Sequence, residues 1–195
     1  MSTPEFASAP YTAGQLNALV KIVGPNNVPG ILDGTLELVI KQPDLLKRIT
    51  AITAPGVARF VAKNCLKVAN VGEMNDKFKE LFCNKVEENV FEAKLVVSRL
   101  ERASLDALIL TELGDKVETS LAHMFDLLKK QANGEDGILL TSGYANGFYI
   151  CGTDGNIWAV RCIWISGNRY WRVGAYSVES PRMGISNRQV FSRDF

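Results

Sequence analysis

Arg161 and Arg172 are the residues of this chain best suited to recognition chemistry. They sit in two successive runs rich in aromatic and β-branched residues, 157–165 and 170–178, with Tyr170 and Tyr176 in the second run and Phe148 just upstream. Arginine beside aromatic rings can grip a carboxylate or phosphate bidentately, or stack on a base. The other reactive side chains are poorly grouped. His123 is the sole histidine and lies beside Met124 inside a helical pattern, so a triad or a histidine-based metal site lacks partners. Cys65, Cys83, Cys151 and Cys162 show no CxxC spacing, and no flanking sequence lowers a thiol pKa. Glu80, Glu87 and Glu88 stand among lysines, the pattern of a solvated face. Gly134-Glu-Asp-Gly137 is too short for a calcium loop, and Gly143-Tyr-Ala-Asn-Gly147 lacks the Lys-Ser/Thr ending of a phosphate loop. No catalytic residue, metal site or cofactor is expected.

The arginines must be positioned by β-hairpins. Asp154-Gly155 and Gly167-Asn168 are turn signals between strand-like runs, so two consecutive two-residue hairpins are expected. That register pairs Tyr149 with Val160, Cys151 with Trp158, Trp164 with Trp171 and Arg161 with Gly174. Side-chain alternation then yields an uncharged face with Tyr149, Cys151, Trp158, Val160, Cys162, Trp164, Trp171, Val173 and Ala175. The opposite face carries Phe148, Ile150, Arg161, Ile163, Ile165, Tyr170, Arg172 and Tyr176. On it, Arg161 and Arg172 lie diagonally, which costs up to roughly 1 kcal/mol unless an anion or carboxylate intervenes. This face reads as a binding surface of Arg161, Arg172, Tyr170, Tyr176 and Phe148. The favoured reading of the face is a surface beneath a helix, its arginines reaching the edge to pair with Asp or Glu, because the isoleucines want such cover.

Elsewhere, residues 1–10 read as a flexible lead-in. Thr12 can cap a helix that ends at Gly24-Pro25, and 36–41 alternates as a strand. Short helices are expected over 43–50 and 56–63, and strands over 65–71 and 91–100; 73–87 is ambiguous. Ser104 fits an N-cap for a helix over 105–113, and Thr119 or Ser120 starts another that closes before Gly134. A last strand follows over 188–193. Helices and strands intermix without a repeated βαβ unit, so the class is α+β: short helices on a mainly antiparallel sheet, with a C-terminal aromatic β-meander. A single domain over 11–195 is expected, with 131–137 as the one candidate sub-boundary.

The totals exclude several classes. The chain has 195 residues, 47% hydrophobic and 22% charged, with net charge +1, which suits a globular protein and not a dedicated duplex-DNA binder. No stretch approaches the roughly 18 apolar residues of a membrane span. Met1-Ser-Thr-Pro-Glu-Phe6 lacks the basic start and apolar run of a signal peptide, so a cytoplasmic location with reduced cysteines is expected.

Several segments carry a resemblance: AGQLNALVK at 13–21, ASLDA at 103–107, ETSLAHMF at 118–125, KQANGEDGILLTSGYAN at 130–146, WRVGAYSV at 171–178 and QVFSR at 189–193. The chain resembles, from about residue 11 to its end, a group of bacterial proteins without known activity that recurs in several copies in reduced-genome candidate phyla. The stretch 64–90 departs most from that pattern, and loop-borne specificity is expected there. The resemblance implies no site residue and no cofactor. The function expected is a non-enzymatic interaction module using the arginine-aromatic face or 64–90 to meet a protein partner or a second copy. The alternatives are a single-strand nucleic-acid-binding accessory protein and a hydrolase or transferase with a dispersed site.

Overall fold

The computed structural model describes residues 13–32, 35, 44–181 and 184–194. The chain divides into two compact units, Met1–Pro43 and Asp44–Phe195. In the first, helix α1 (Ala13–Val23) stops at Gly24, whose φ of 80° suits glycine, and α2 (Val28–Leu32) follows a short 3-10 turn. The lead-in, the Thr12 cap and the 36–41 strand lie outside the described residues. The segment 131–137 falls within the second unit.

That unit begins with β1 (Leu46–Ala54) and β2 (Val57–Val61). The helices expected over 43–50 and 56–63 are therefore corrected: Ile49, Thr50, Ile52 and Thr53 are stiff at χ1 and favour an extended chain. A single helical turn, α3 (Ala62–Cys65), and a turn occupy most of 65–71, and β3 (Val71–Met74) starts where a strand was expected to end. The ambiguous stretch resolves into α4 (Asp76–Leu81), capped by Asn75 through its side chain to the Phe78 N–H, and β4 (Val86–Val90). Then come β5 (Ala93–Leu100), α5 (Asp106–Leu113), β6 (Glu118–Thr119) and α6 (Leu121–Lys130). Ser120 caps α6 as expected, accepting from the His123 N–H at 3.2 Å. Ser104 does not cap α5: Leu105 holds that position, and Ser104 forms a bridge with Gly184 instead. The chain closes with β7 (Asn146–Cys151), β8 (Ile157–Ile165), β9 (Tyr170–Ser177) and β10 (Gln189–Arg193).

The fold is α+β. An eight-stranded mixed sheet runs β1-β5-β10-β7-β8-β9-β3, with β6 beside β7, and β2 pairs β4 in a separate ribbon. Neighbours are antiparallel except β10–β7, β9–β3 and β6–β7. One sheet face holds the main core: Phe148, Ile150, Val160, Cys162, Trp164, Trp171 and Phe191 pack against Met124, Phe125 and Leu128 of α6 and Phe78 of α4. On the other face Tyr149, Ala159 and Val190 pack with Ile109 of α5. Among the described residues no helix is long and apolar enough to cross a membrane.

The β8–β9 register matches the expectation, with Trp164 opposite Trp171 and Arg161 opposite Gly174. The β7–β8 register is shifted by one: Phe148 faces Val160, Tyr149 faces Ala159 and Cys151 faces Ile157. The turn is longer than two residues. Gly152 N–H donates to the Asn156 carbonyl, so 153–155 form the loop, with Gly155 at φ 79°. A three-residue loop ending in a left-handed glycine changes the parity of every β7 side chain. Phe148 and Ile150 thus join the main core, while Tyr149 and Cys151 move to the arginine face.

Candidate functional site

Arg161 lies at the middle of β8, between two glycines. Its neighbour on β7 is Gly147 and on β9 is Gly174. A Cβ at Gly174 would lie 2.9 Å from the Tyr176 hydroxyl, so the bare glycine lets that ring fold back along its strand. The ring centroid reaches 4.8 Å from Arg161 Cζ, within cation–π range.

The charged partner comes from the covering helix. Asp106, the first residue of α5, is 2% exposed. Its Oδ2 accepts from Arg161 Nη2, and its Oδ1 accepts from Arg188 Nη2 at 3.0 Å and from the Tyr149 hydroxyl at 2.8 Å. Burial and the adjacent Asp106 charge push the Tyr149 phenol well above its ordinary range, so it stays a neutral donor. Arg188 precedes β10, and its side chain is 3% exposed. Its guanidinium lies flat against Gly184, where a Cβ would fall 2.2 Å from Cζ. Its buried Nε–H has no hydrogen-bond partner among the described residues.

Two guanidinium charges therefore share one carboxylate, leaving one positive charge in excess in this cluster of described residues. Both arginines line a pocket of about 270 Å3 whose other walls include Ile163, Tyr176, Ile185 and Ala145. Guanidinium groups stay charged at neutral pH and donate in a fixed fork, a chemistry suited to carboxylate or phosphate oxygens.

Of the residues singled out in the sequence, Arg161 and Tyr176 meet in this pocket. Arg172 and Tyr170 do not line it. Arg172 Nη2 pairs with Glu73 Oε2 of β3 at 2.8 Å, the Tyr170 hydroxyl donates to the same oxygen at 3.1 Å, and Arg172 holds the Glu73 carboxyl below its usual range. Phe148 is corrected: it is fully buried on the opposite face, stacked on Phe191 with centroids 4.4 Å apart. Asp106, Arg188 and Tyr149 were not anticipated. Asp106 lies 55 residues from Arg161 and 82 from Arg188 in sequence, beyond any local spacing signal.

Segment 64–90 has both exposed and buried positions. It contributes edge strand β3, the buried Phe78, Leu81 and Phe82, and Glu87. Glu87 is not a solvated acid: its carboxylate accepts from the N–H groups of Leu121 and Ala122 at 3.0 and 2.9 Å, offsetting the positive end of α6, and from Lys85 at 2.8 Å. His123 sits 1% exposed beside that turn, its Nε2 3.1 Å from the Phe91 carbonyl. Desolvation lowers its pKa, so it is held neutral, and its Nδ1 is buried without a described partner. It lines a second pocket of about 290 Å3 with Glu87, Phe91, Ser120 and Arg193. All four cysteines are free thiols, and burial pushes the Cys162 thiol up.

Comparison of the chain with family models, curated proteins and solved structures finds no match.

Proposed function

We propose that this protein is a non-enzymatic binding module that captures an anionic group in the Arg161–Arg188–Tyr176 pocket. The observation that carries this reading is the sharing of one buried carboxylate by two arginines that both line the pocket. Asp106 holds both guanidinium groups in place before any ligand arrives, so little side-chain freedom is lost on capture. Whether the anion is free or presented by a partner molecule, the guanidinium fork is the anchor. The single-strand nucleic-acid reading loses support, because Phe148 is buried and Arg172 is already paired, so the stacking platform it needs is dismantled. Four free thiols are in keeping with a reducing, cytoplasmic location.

Thermal unfolding with sodium acetate and sodium phosphate at matched ionic strength tests the reading. At ten times its dissociation constant a bound anion adds about 1.4 kcal/mol, a rise of about 3–6 °C for a chain of this size. The rise is expected in the wild type and absent in Arg161→Gln. No rise with either anion, or the same rise in the variant, would overturn the proposal.

A further inference from the structure

We infer that the ligand is a monoanionic carboxylate joined to a compact apolar body. This rests on the reading of the pocket as an anion site and narrows it. The charge count comes first. Arg161 and Arg188 supply two positive charges, Asp106 removes one, and Tyr149 is a neutral donor. Among the described residues, one carboxylate brings the cluster to neutrality. A phosphate dianion would leave a net negative charge beside Arg188, which is 3% exposed, where an uncompensated charge is poorly tolerated.

The walls give the second half of the inference. Beyond the guanidinium groups the pocket presents Ile163, Ile185, Ala145 and the face of Tyr176, with the Tyr176 and Ser180 hydroxyls as the other polar side-chain groups on its wall. A small apolar body, one ring or a short branched chain, suits walls of this kind. The same chemistry belongs to a small free acid and to the C-terminal carboxylate of a polypeptide ending in an apolar residue.

The test is calorimetric titration of the full chain at pH 8 with benzoate and with phenyl phosphate, which share a body and differ in head-group charge. Benzoate is expected to bind one to one and at least about tenfold tighter than either phenyl phosphate or acetate. Binding should be lost in Arg161→Gln and in Tyr176→Leu; Tyr176 is 39% exposed, so its replacement leaves the fold intact. A short peptide ending in phenylalanine, beside its C-terminal amide, separates the sources: tighter capture of the free-acid peptide than of benzoate assigns a polypeptide terminus, and the amide must not bind. Equal or tighter binding of phenyl phosphate overturns the carboxylate assignment and leaves the anion site standing. Acetate binding as well as benzoate overturns the apolar body. Silence from every anion overturns both the inference and the proposed function.

Discussion

Replacing Asp106 with Asn keeps the shape of the side chain and removes the charge that holds two arginines. The carboxylate accepts from Tyr149, Arg161 and Arg188, and it is 2% exposed. In the variant, Asn can still accept from one or two donors, but two guanidinium groups then face each other with no counter-ion. The Arg188 side chain is 3% exposed, so its charge cannot be screened by water. Removing one partner of a buried ion pair costs about 3–5 kcal/mol. With one acceptor oxygen retained, a loss of about 3–4 kcal/mol is expected, whereas Glu73→Gln at the solvent-screened Arg172 pair should leave stability nearly unchanged. Urea titration followed by tryptophan fluorescence reads this directly, since Trp164 and Trp171 are buried in the main core. At a slope of about 2 kcal/mol/M the midpoint falls by about 1.5–2 M. Adding Arg188→Met removes the stranded charge and should recover at least half of the loss. A loss below about 1 kcal/mol for Asp106→Asn, or no recovery in the double variant, would refute the reasoning.

Other positions give sharper separations of role. Gly174→Ala pushes the Tyr176 ring off Arg161; because that ring end is partly exposed, stability should change by less than about 1 kcal/mol while anion capture in calorimetry is lost. Glu87→Ala strips α6 of the carboxylate on its first two N–H groups and should cost about 1–2 kcal/mol in urea unfolding, with ligand capture unchanged. His123 supplies a pH signature. Its folded pKa lies below the ordinary 6.5, so the unfolded chain takes up a proton first, and the stability of the neutral buried ring is present above about pH 6.5 and lost as pH falls toward the folded value. Unfolding free energy measured from pH 7.5 to 5 should decline in the wild type and stay flatter in His123→Phe; equal slopes would remove His123 from the account. The carboxyls of Glu73, Glu135, Asp154 and Asp194 are held below their ordinary values, so their losses begin lower, near pH 4.5 and 3.8.

The parts of the fold written in local chemistry were legible. Ser120 before Leu121, Met124, Phe125 and Leu128 announced α6, and the Trp164–Trp171 register followed from an even-length turn. The β7–β8 register was not, because Asp154-Gly155 looks like a two-residue loop while Asp154 also accepts from the Asn156 N–H and the Trp158 indole, drawing Thr153 into the turn. That slip hid Gly147 beside Arg161 and placed Tyr149 and Phe148 on the wrong faces. The expected helix over 43–50 failed because the chain there becomes a sheet strand, a pairing set by β5 and invisible to local propensity. Asp106 and Arg188 could not be joined to Arg161 from spacing, since the sheet order inserts β10 between β5 and β7 and so carries Arg188 into the same corner.

The central claim is that Arg161 and Arg188 together hold an anion. The measurement that tests it most directly is an NMR titration of the arginine Nε–H resonances with benzoate. The account predicts saturable shifts of the Arg161 and Arg188 Nε–H resonances, with Arg172 unmoved beside Glu73 and the Arg188 shift abolished by Arg161→Gln. An Arg188 resonance that stays in place while Arg172 moves, or no change at saturating benzoate, would contradict it.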